Sequence, residues 1–253
     1  MKLKLWSVIL ISILFFYACA NNREPEEKKE QPRALLSSFP ATPLSGAKQV
    51  YTIKSGPYPL GSATFLVESQ TPPKMSIHYT CSIPTSGLKE ESLIIFNSDT
   101  FLPLESWKNI EMGKQKVRIT CKYEGNKADL RLDASDGKKS QTLLLPDNSI
   151  DNEQLLILLQ AFKFSDKYPN KLNVFSLQSA AAIPLDIALE GQEIKTTPAG
   201  AFDCYKIKIS IPDFNEAQHV WYNVASPFQL IWYDNGKIQY EMASYEPLAA
   251  PGK

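Results

Sequence analysis

A chain of 253 residues has room for one domain with additional segments. Its 27 Lys+Arg balance 27 Asp+Glu, so no basic excess exists to displace phosphate counterions, which excludes a nucleic-acid binder. Eighteen prolines against eleven glycines, among many Ile, Val, Tyr and Phe, favour strands and turns over a helical bundle.

The chain starts with MKLK, then LWSVILISILFFYA, an apolar run short for a membrane span, then small residues. This is the pattern of an export signal. Two processing outcomes fit. FYAC (16–19) is similar to a bacterial lipobox, which makes residues 1–18 the signal peptide and Cys19 the lipidated first residue. Alternatively, Ala18-Cys19-Ala20 serves ordinary signal peptidase as an A-x-A site and Cys19 is discarded. The first outcome is preferred, because residues 21–49 are charged, then rich in Pro and Ser, as a tether for an anchored domain should be. Buried acyl CH₂ groups contribute about 0.8 kcal/mol each, so several chains hold firmly. Residues 19–49 therefore read as anchor and tether, with one apolar patch, Ala34-Leu35-Leu36, able to dock on the domain.

From Val50 to Leu248 the chain reads as a single domain of strands. Ala63, Phe65 and Val67 alternate with polar neighbours, as do Met75, Ile77, Tyr79, Cys81 and Ile83. In 117–132 a two-residue turn at Gly125-Asn126 pairs Glu124 with Lys127, Lys122 with Asp129 and Cys121 with Leu130. Apolar side chains then collect on one face and opposite charges on the other, each such pair contributing about 0.2–1 kcal/mol. In 230–242 a type I′ turn at Asn235-Gly236 predicts Asp234 opposite Lys237 and Tyr233 opposite Ile238. The reverse face of that hairpin carries Leu230 and Trp232, which suggests a covered face or a groove.

One segment departs from the period of two. DNEQLLILLQAFKF (151–164) opens on Asp151, with Gln154 three residues on, a variant capping box. Leu155, Leu158, Leu159 and Phe162 fall at helical spacing, and Leu156 and Ile157 make the helix apolar over most of its girth. Such a helix must be buried on more than one side. The fold class that accommodates it is mainly β (α+β): a strongly curved antiparallel sheet, or half-barrel, wrapping one apolar helix. Leu155, Leu158, Leu159, Phe162, Leu230 and Trp232 are then the candidate hydrophobic groove.

Reactive chemistry finds little support. Thr196 to Ser210 reads TTPAGAFDCYKIKIS, and lysines beside Cys204 could favour its thiolate. A cysteine nucleophile wants a base, and the two histidines, His78 and His219, are each flanked by strand residues. Pro198-Ala199-Gly200 therefore reads as a turn into a strand. Cys81 and Cys121 lie on apolar strand faces, either as two buried thiols or as a disulfide if their strands are adjacent. The sequence contains no CxxC, HxH, HExxH, GxSxG or phosphate-binding glycine loop, so neither metal nor cofactor is expected.

A resemblance rests on the order of several segments: YPLGSATFLVES (58–69), SLIIFNSDTFLPLESW (92–107), LPDNSIDNEQLLILLQAF (145–162), TPAGAFDCYKIKI (197–209) and HVWYNVASPFQLIWYDNGKIQYEM (219–242). Together they resemble an exported bacterial family classed only as a domain of unknown function, distantly like the lipoprotein-carrier (LolA/LolB-like) half-barrels. The resemblance implies a curved antiparallel sheet around a helix and no catalytic residues. The expectation is a non-enzymatic, lipid-anchored protein of the cell envelope, placed at the outer membrane, with a soluble periplasmic or secreted form as the alternative. Its expected partners are the membrane, through Cys19, and a lipid or other hydrophobic ligand. The rival reading is a structural protein that binds another envelope protein through its surface or a sheet edge.

Overall fold

The structure is a computed structural model, which describes residues 44, 46–162, 169–212, 214 and 216–248. The export signal, Cys19 and the patch at Ala34-Leu35-Leu36 lie outside the described residues. In the first half, eight strands follow one another: β1 (Ala47–Ser55), β2 (Tyr58–Ser69), β3 (Lys74–Ile83), β4 (Leu88–Asn97), β5 (Pro103–Met112), β6 (Gln115–Glu124), β7 (Lys127–Ala134) and β8 (Gly137–Leu144). The second half opens on the short β9 (Ile150–Asp151) and the helix α1 (Leu155–Leu158). It continues through β10 (Pro169–Ser176), β11 (Ala181–Thr197), β12 (Gly200–Ser210), β13 (Ala217–Asn223), β14 (Leu230–Asp234) and β15 (Gln239–Pro247).

These strands make one curved sheet that does not close into a barrel. It runs from β8 back to β1, across to β15, and down to β9. Each half is a meander of antiparallel neighbours, and the β1–β15 pairing joins them; only β9 and β10 run parallel. The five residues between β8 and β9 therefore link one edge of the sheet to the other, and between β9 and β10 comes α1. The sheet curls around it, as the sequence pattern demands.

Alternation decides the inner face. Ala63, Phe65 and Val67 of β2 and Met75, Ile77, Tyr79, Cys81 and Ile83 of β3 are all buried. The β6–β7 hairpin has the predicted register, Glu124 opposite Lys127, Lys122 opposite Asp129 and Cys121 opposite Leu130. The C-terminal hairpin does not. Asp234 pairs with Gln239 and Tyr233 with Tyr240, two residues out from the predicted register. The Asn235 carboxamide accepts the N–H groups of Lys237 and Ile238, which widens the turn to four residues. Because the slip is even, every side chain keeps its face.

The helix is shorter than predicted. A single α turn is flanked by 3₁₀ turns at Asn152–Gln154 and Leu159–Ala161. Asp151 caps it by accepting from the Glu153 N–H at 2.8 Å. The capping-box partner has other work: the Gln154 side chain donates to the Phe101 carbonyl at 2.8 Å. Gln160 and Gln49 of β1 join their carboxamides at 3.3 Å, and the Tyr222 hydroxyl donates to the Leu156 carbonyl at 2.8 Å. Burial alone contributes about 1.5–3 kcal/mol per large aliphatic side chain. The polar contacts then fix which way the helix faces.

The β11–β12 hairpin bends at an irregularity between Leu189 and Gly191. Its far half leans over the outer face, where the Ala199 N–H donates to the Met242 carbonyl of β15 at 3.3 Å. Gly200, at φ +135°, completes that turn in a backbone region other residues rarely adopt. The Pro-Ala-Gly corner is thus a turn that docks.

Candidate functional site

The six residues expected to line a groove divide into two groups. Leu155, Leu158, Leu159 and Leu230 are 0 % exposed and Phe162 is 2 % exposed, all within the main core. They fill the concavity rather than line an opening. Trp232 sits on the outer face of the sheet opposite Trp221. The Lys195 ammonium lies 4.0 Å from the Trp221 ring centre and 5.2 Å from that of Trp232, and the Trp221 indole N–H donates to the Glu193 carboxylate. The bent hairpin therefore covers the two indoles, a cation–π arrangement that desolvation strengthens.

The inner face also holds charge. The Lys108 ammonium, 1 % exposed, lies 2.8 Å from the Glu90 carboxylate and 2.7 Å from that of Glu153. Burial works against its charge, but Glu153 and Glu90 outweigh this and raise its pKa. Ser92 donates to the second Glu153 oxygen at 2.8 Å. Next to this group, the Tyr123 hydroxyl donates to Asp151. Burial, together with the Glu153 charge, pushes the Asp151 carboxyl up to about 6. These groups tie β4, β5 and β6 to β9 and the helical segment that follows it.

The three described cysteines, Cys81, Cys121 and Cys204, are free and buried. Between Cys81 on β3 and Cys121 on β6 run β4 and β5. Three strand spacings of about 4.8 Å exceed the Cα separation of up to about 7 Å that a disulfide tolerates. Of the two alternatives read from the sequence, two buried thiols is the one adopted. Cys204 is also fully buried, with its sulfur 3.5 Å from the Phe202 carbonyl. Burial pushes all three thiols up to about 12, far from a reactive thiolate. His219 pairs with Glu190 and His78 with Glu91. No group of three or more potential metal ligands occurs among the described residues.

The open features lie elsewhere. A cleft of about 980 Å³ crosses one end of β2 to β7 and is lined from both faces of the sheet. Its charges largely answer one another: Glu111 with Lys116, Glu91 with His78, and Asp133 with Lys138. At the seam, where β8 faces the β10–β11 turn, the floor is apolar instead. There a slot of about 450 Å³ is lined by Ile119, Leu130, Leu132, Leu177 and Ala180, with Lys139, Ser140, Gln141 and Gln178 at its rim. This slot belongs to a second, smaller core around Ile119, Cys121, Leu130, Phe175 and Leu177. Sequence reading missed it because β8, GKKSQTLL, is polar and its apolar walls come from both halves of the chain. The usable signal was the mismatch of Leu130 and Leu132 with their cross-strand partners Gln141 and Lys139, an apolar row ending in polar residues.

The chain matches the family "Protein of unknown function (DUF3108)" over residues 50–240. No curated protein matches it. Among solved structures, a β-barrel-like protein of the DUF1849 domain of unknown function from Brucella abortus is similar in fold. Its TM-score is 0.57 at 10 % identity, covering 83 % of this chain and all of that one. A DUF1089 family protein from Pseudomonas aeruginosa aligns with a TM-score of 0.39 at 8 % identity, over 67 % of this chain and 87 % of that one. A Bacteroides fragilis protein described as exported, with a YmcC-like fold, gives 0.32 at 12 % identity, over 82 % and 98 %.

Proposed function

Because the chain belongs to DUF3108, a family of proteins of unknown function, its role must be argued from its own surface, and we propose that it is an exported, lipid-anchored, non-catalytic protein that binds a hydrophobic ligand. The observation that carries this reading is the apolar slot at the seam. Its volume of about 450 Å³ falls among ordinary ligand pockets, and its apolar floor with a few polar rim groups has their usual composition. The filled concavity moves the ligand from the helix to the seam. Leu155, Leu158, Leu159, Phe162 and Leu230 belong to the main core and do not line this slot. The three buried thiols support a role without covalent chemistry.

Native mass spectrometry of protein extracted from its own membrane tests the reading. A non-covalent small ligand should accompany the wild type and be lost from Gln141→Trp, which puts an aromatic ring over the slot on a strand that tolerates one. A ligand-free wild type that also fails to bind an apolar dye would overturn the proposal. In the same spectra, an acylated Cys19 at the N-terminus supports the anchor, and a start beyond Ala20 removes it.

A second reading is favoured by β8. Its eight residues form an edge of the sheet, which a partner protein could extend by one strand. One dominant protein crosslinked through β8 in intact cells would favour this scaffolding role.

A further inference from the structure

An apolar slot by itself accepts any greasy ligand, but this one opens onto charge. On the other side of the β8 edge lies a basin of about 450 Å³ that shares Leu132, Lys139 and Ser140 with the slot and adds Arg118, Arg131, Lys138 and Asp133. Its charges are unequal in availability. Lys138 is held by Asp133 at 2.7 Å, and Arg118 donates to Asn109 while lying over the Trp107 ring. Lys139 and Arg131 have no ion-pair partner among the described residues. Lys139 is opposite Leu132 in the β7–β8 pairing, so its stem starts on the apolar face and its ammonium sits at the rim. One uncommitted cation, Lys139, thus borders the apolar floor, while Arg131 faces the basin on the opposite side of the sheet.

Building on the seam reading above, we propose that the slot binds a free, single-chain anionic amphiphile of the long-chain carboxylate class. Its tail lies on Leu130, Leu132 and Leu177, and its head group meets Lys139 at the rim. The recess favours a free molecule over a membrane surface, because the floor residues Ile119, Leu130 and Leu177 are buried rather than protruding. A volume of about 450 Å³ lies at the small end of ligand pockets, which suits one chain rather than two. Charge complementarity sets orientation and selectivity, while the tail supplies the area.

The test displaces an environment-sensitive apolar dye from the full chain with dodecanoate or with dodecanol, which share a tail and differ in head charge. Dodecanoate should displace the dye at a concentration at least tenfold lower than dodecanol, an advantage that shrinks as salt rises. Lys139→Gln should erase that advantage while leaving dodecanol unchanged, Arg131→Gln on the opposite face should preserve it, and circular dichroism verifies that both fold. Gln141→Trp should block both ligands. Equal displacement by the two ligands, or an unaltered advantage in Lys139→Gln, overturns the anionic-head assignment and leaves the apolar slot standing. Failure of both ligands to displace dye from a site sensitive to Gln141→Trp overturns the amphiphile proposal, and dye binding that Gln141→Trp does not alter overturns the slot reading as well. Binding only to vesicles of anionic phospholipid, with no response to dodecanoate, also overturns the proposal, in favour of a membrane-facing surface.

Discussion

At the scale of single residues, the described part of the chain is governed by close fit and by buried polarity. A Cβ added to Gly61 of β2 would sit 1.9 Å from the Ser82 carbonyl oxygen of β3, a backbone contact that no rotamer can relieve. Gly61→Ala must therefore push two central strands apart, and overpacking of this kind costs about 1–3 kcal/mol. Urea denaturation should show that loss in the midpoint, and an unchanged midpoint would mean the strands are freely adjustable there. Cysteine chemistry gives a second residue-scale expectation. With the thiols of Cys81, Cys121 and Cys204 buried and pushed up to about 12, brief alkylation of the native protein should leave all three unlabelled, and unfolding should expose all three. Rapid native labelling of Cys204 would reopen the nucleophile reading. Alternation made the burial of Cys81 and Cys121 legible in the sequence. Cys204 was harder, because it lies on the face that the bent hairpin covers, and a bend between Leu189 and Gly191 leaves no periodic trace. The Lys108–Glu90–Glu153 cluster was not legible either: each member reads as an ordinary surface charge until the fold brings them together.

At the scale of elements, turn chemistry decides how well sequence predicts register. Gly125-Asn126 leaves little choice, and the β6–β7 pairing follows it residue by residue. Asn235-Gly236 has a competing option, since the asparagine side chain can cap the two following N–H groups, and it takes that option. The helix shows a different limit. Its apolar spacing announces burial, yet Asp151, Glu153, Gln154 and Gln160 are buried with it, each bonded to a neighbour whose position no local pattern reveals. This element is a plug. Leu158, enclosed on all sides, should lose about 2–5 kcal/mol on truncation to alanine, the range for deletion of a large aliphatic group from a rigid core. A loss well under 1 kcal/mol in chemical denaturation would instead show a concavity able to collapse or to admit a ligand.

At the scale of the whole molecule, topology explains both the plug and the seam. A meander that leaves by β8 and returns by β9 joins its two edges through five residues, and the helical segment after β9 fills what would otherwise be a cavity in the concave face. The curvature and the enclosed helix could be anticipated from alternation and from family resemblance. The seam could not, because its apolar lining joins β6 and β7 to the β10–β11 turn, and no local pattern brings those together. Asp151 stands on the edge strand β9, bonded to Tyr123 of β6, so its ionisation acts on the cohesion of the entire domain. Burial, and then the Glu153 charge, raise its carboxyl from the ordinary 3.8 to about 6. Between those values the folded protein holds a proton that the unfolded chain releases. The resulting contribution to stability is complete below about pH 4, falls as pH rises, and is lost above about pH 6. A separation of about two pH units corresponds to about 3 kcal/mol. The measurement is the difference in unfolding free energy between wild type and Asp151→Asn, followed from pH 4.5 to 7.5, so that changes in other carboxylates cancel. Asparagine can still accept the Glu153 N–H but cannot ionise. The variant should therefore gain on the wild type by about 2–3 kcal/mol as pH rises through that window. A difference that stays flat, or that moves the other way, would mean that Asp151 is ionised in the folded protein throughout and that the Tyr123 bond outweighs the cost of burial.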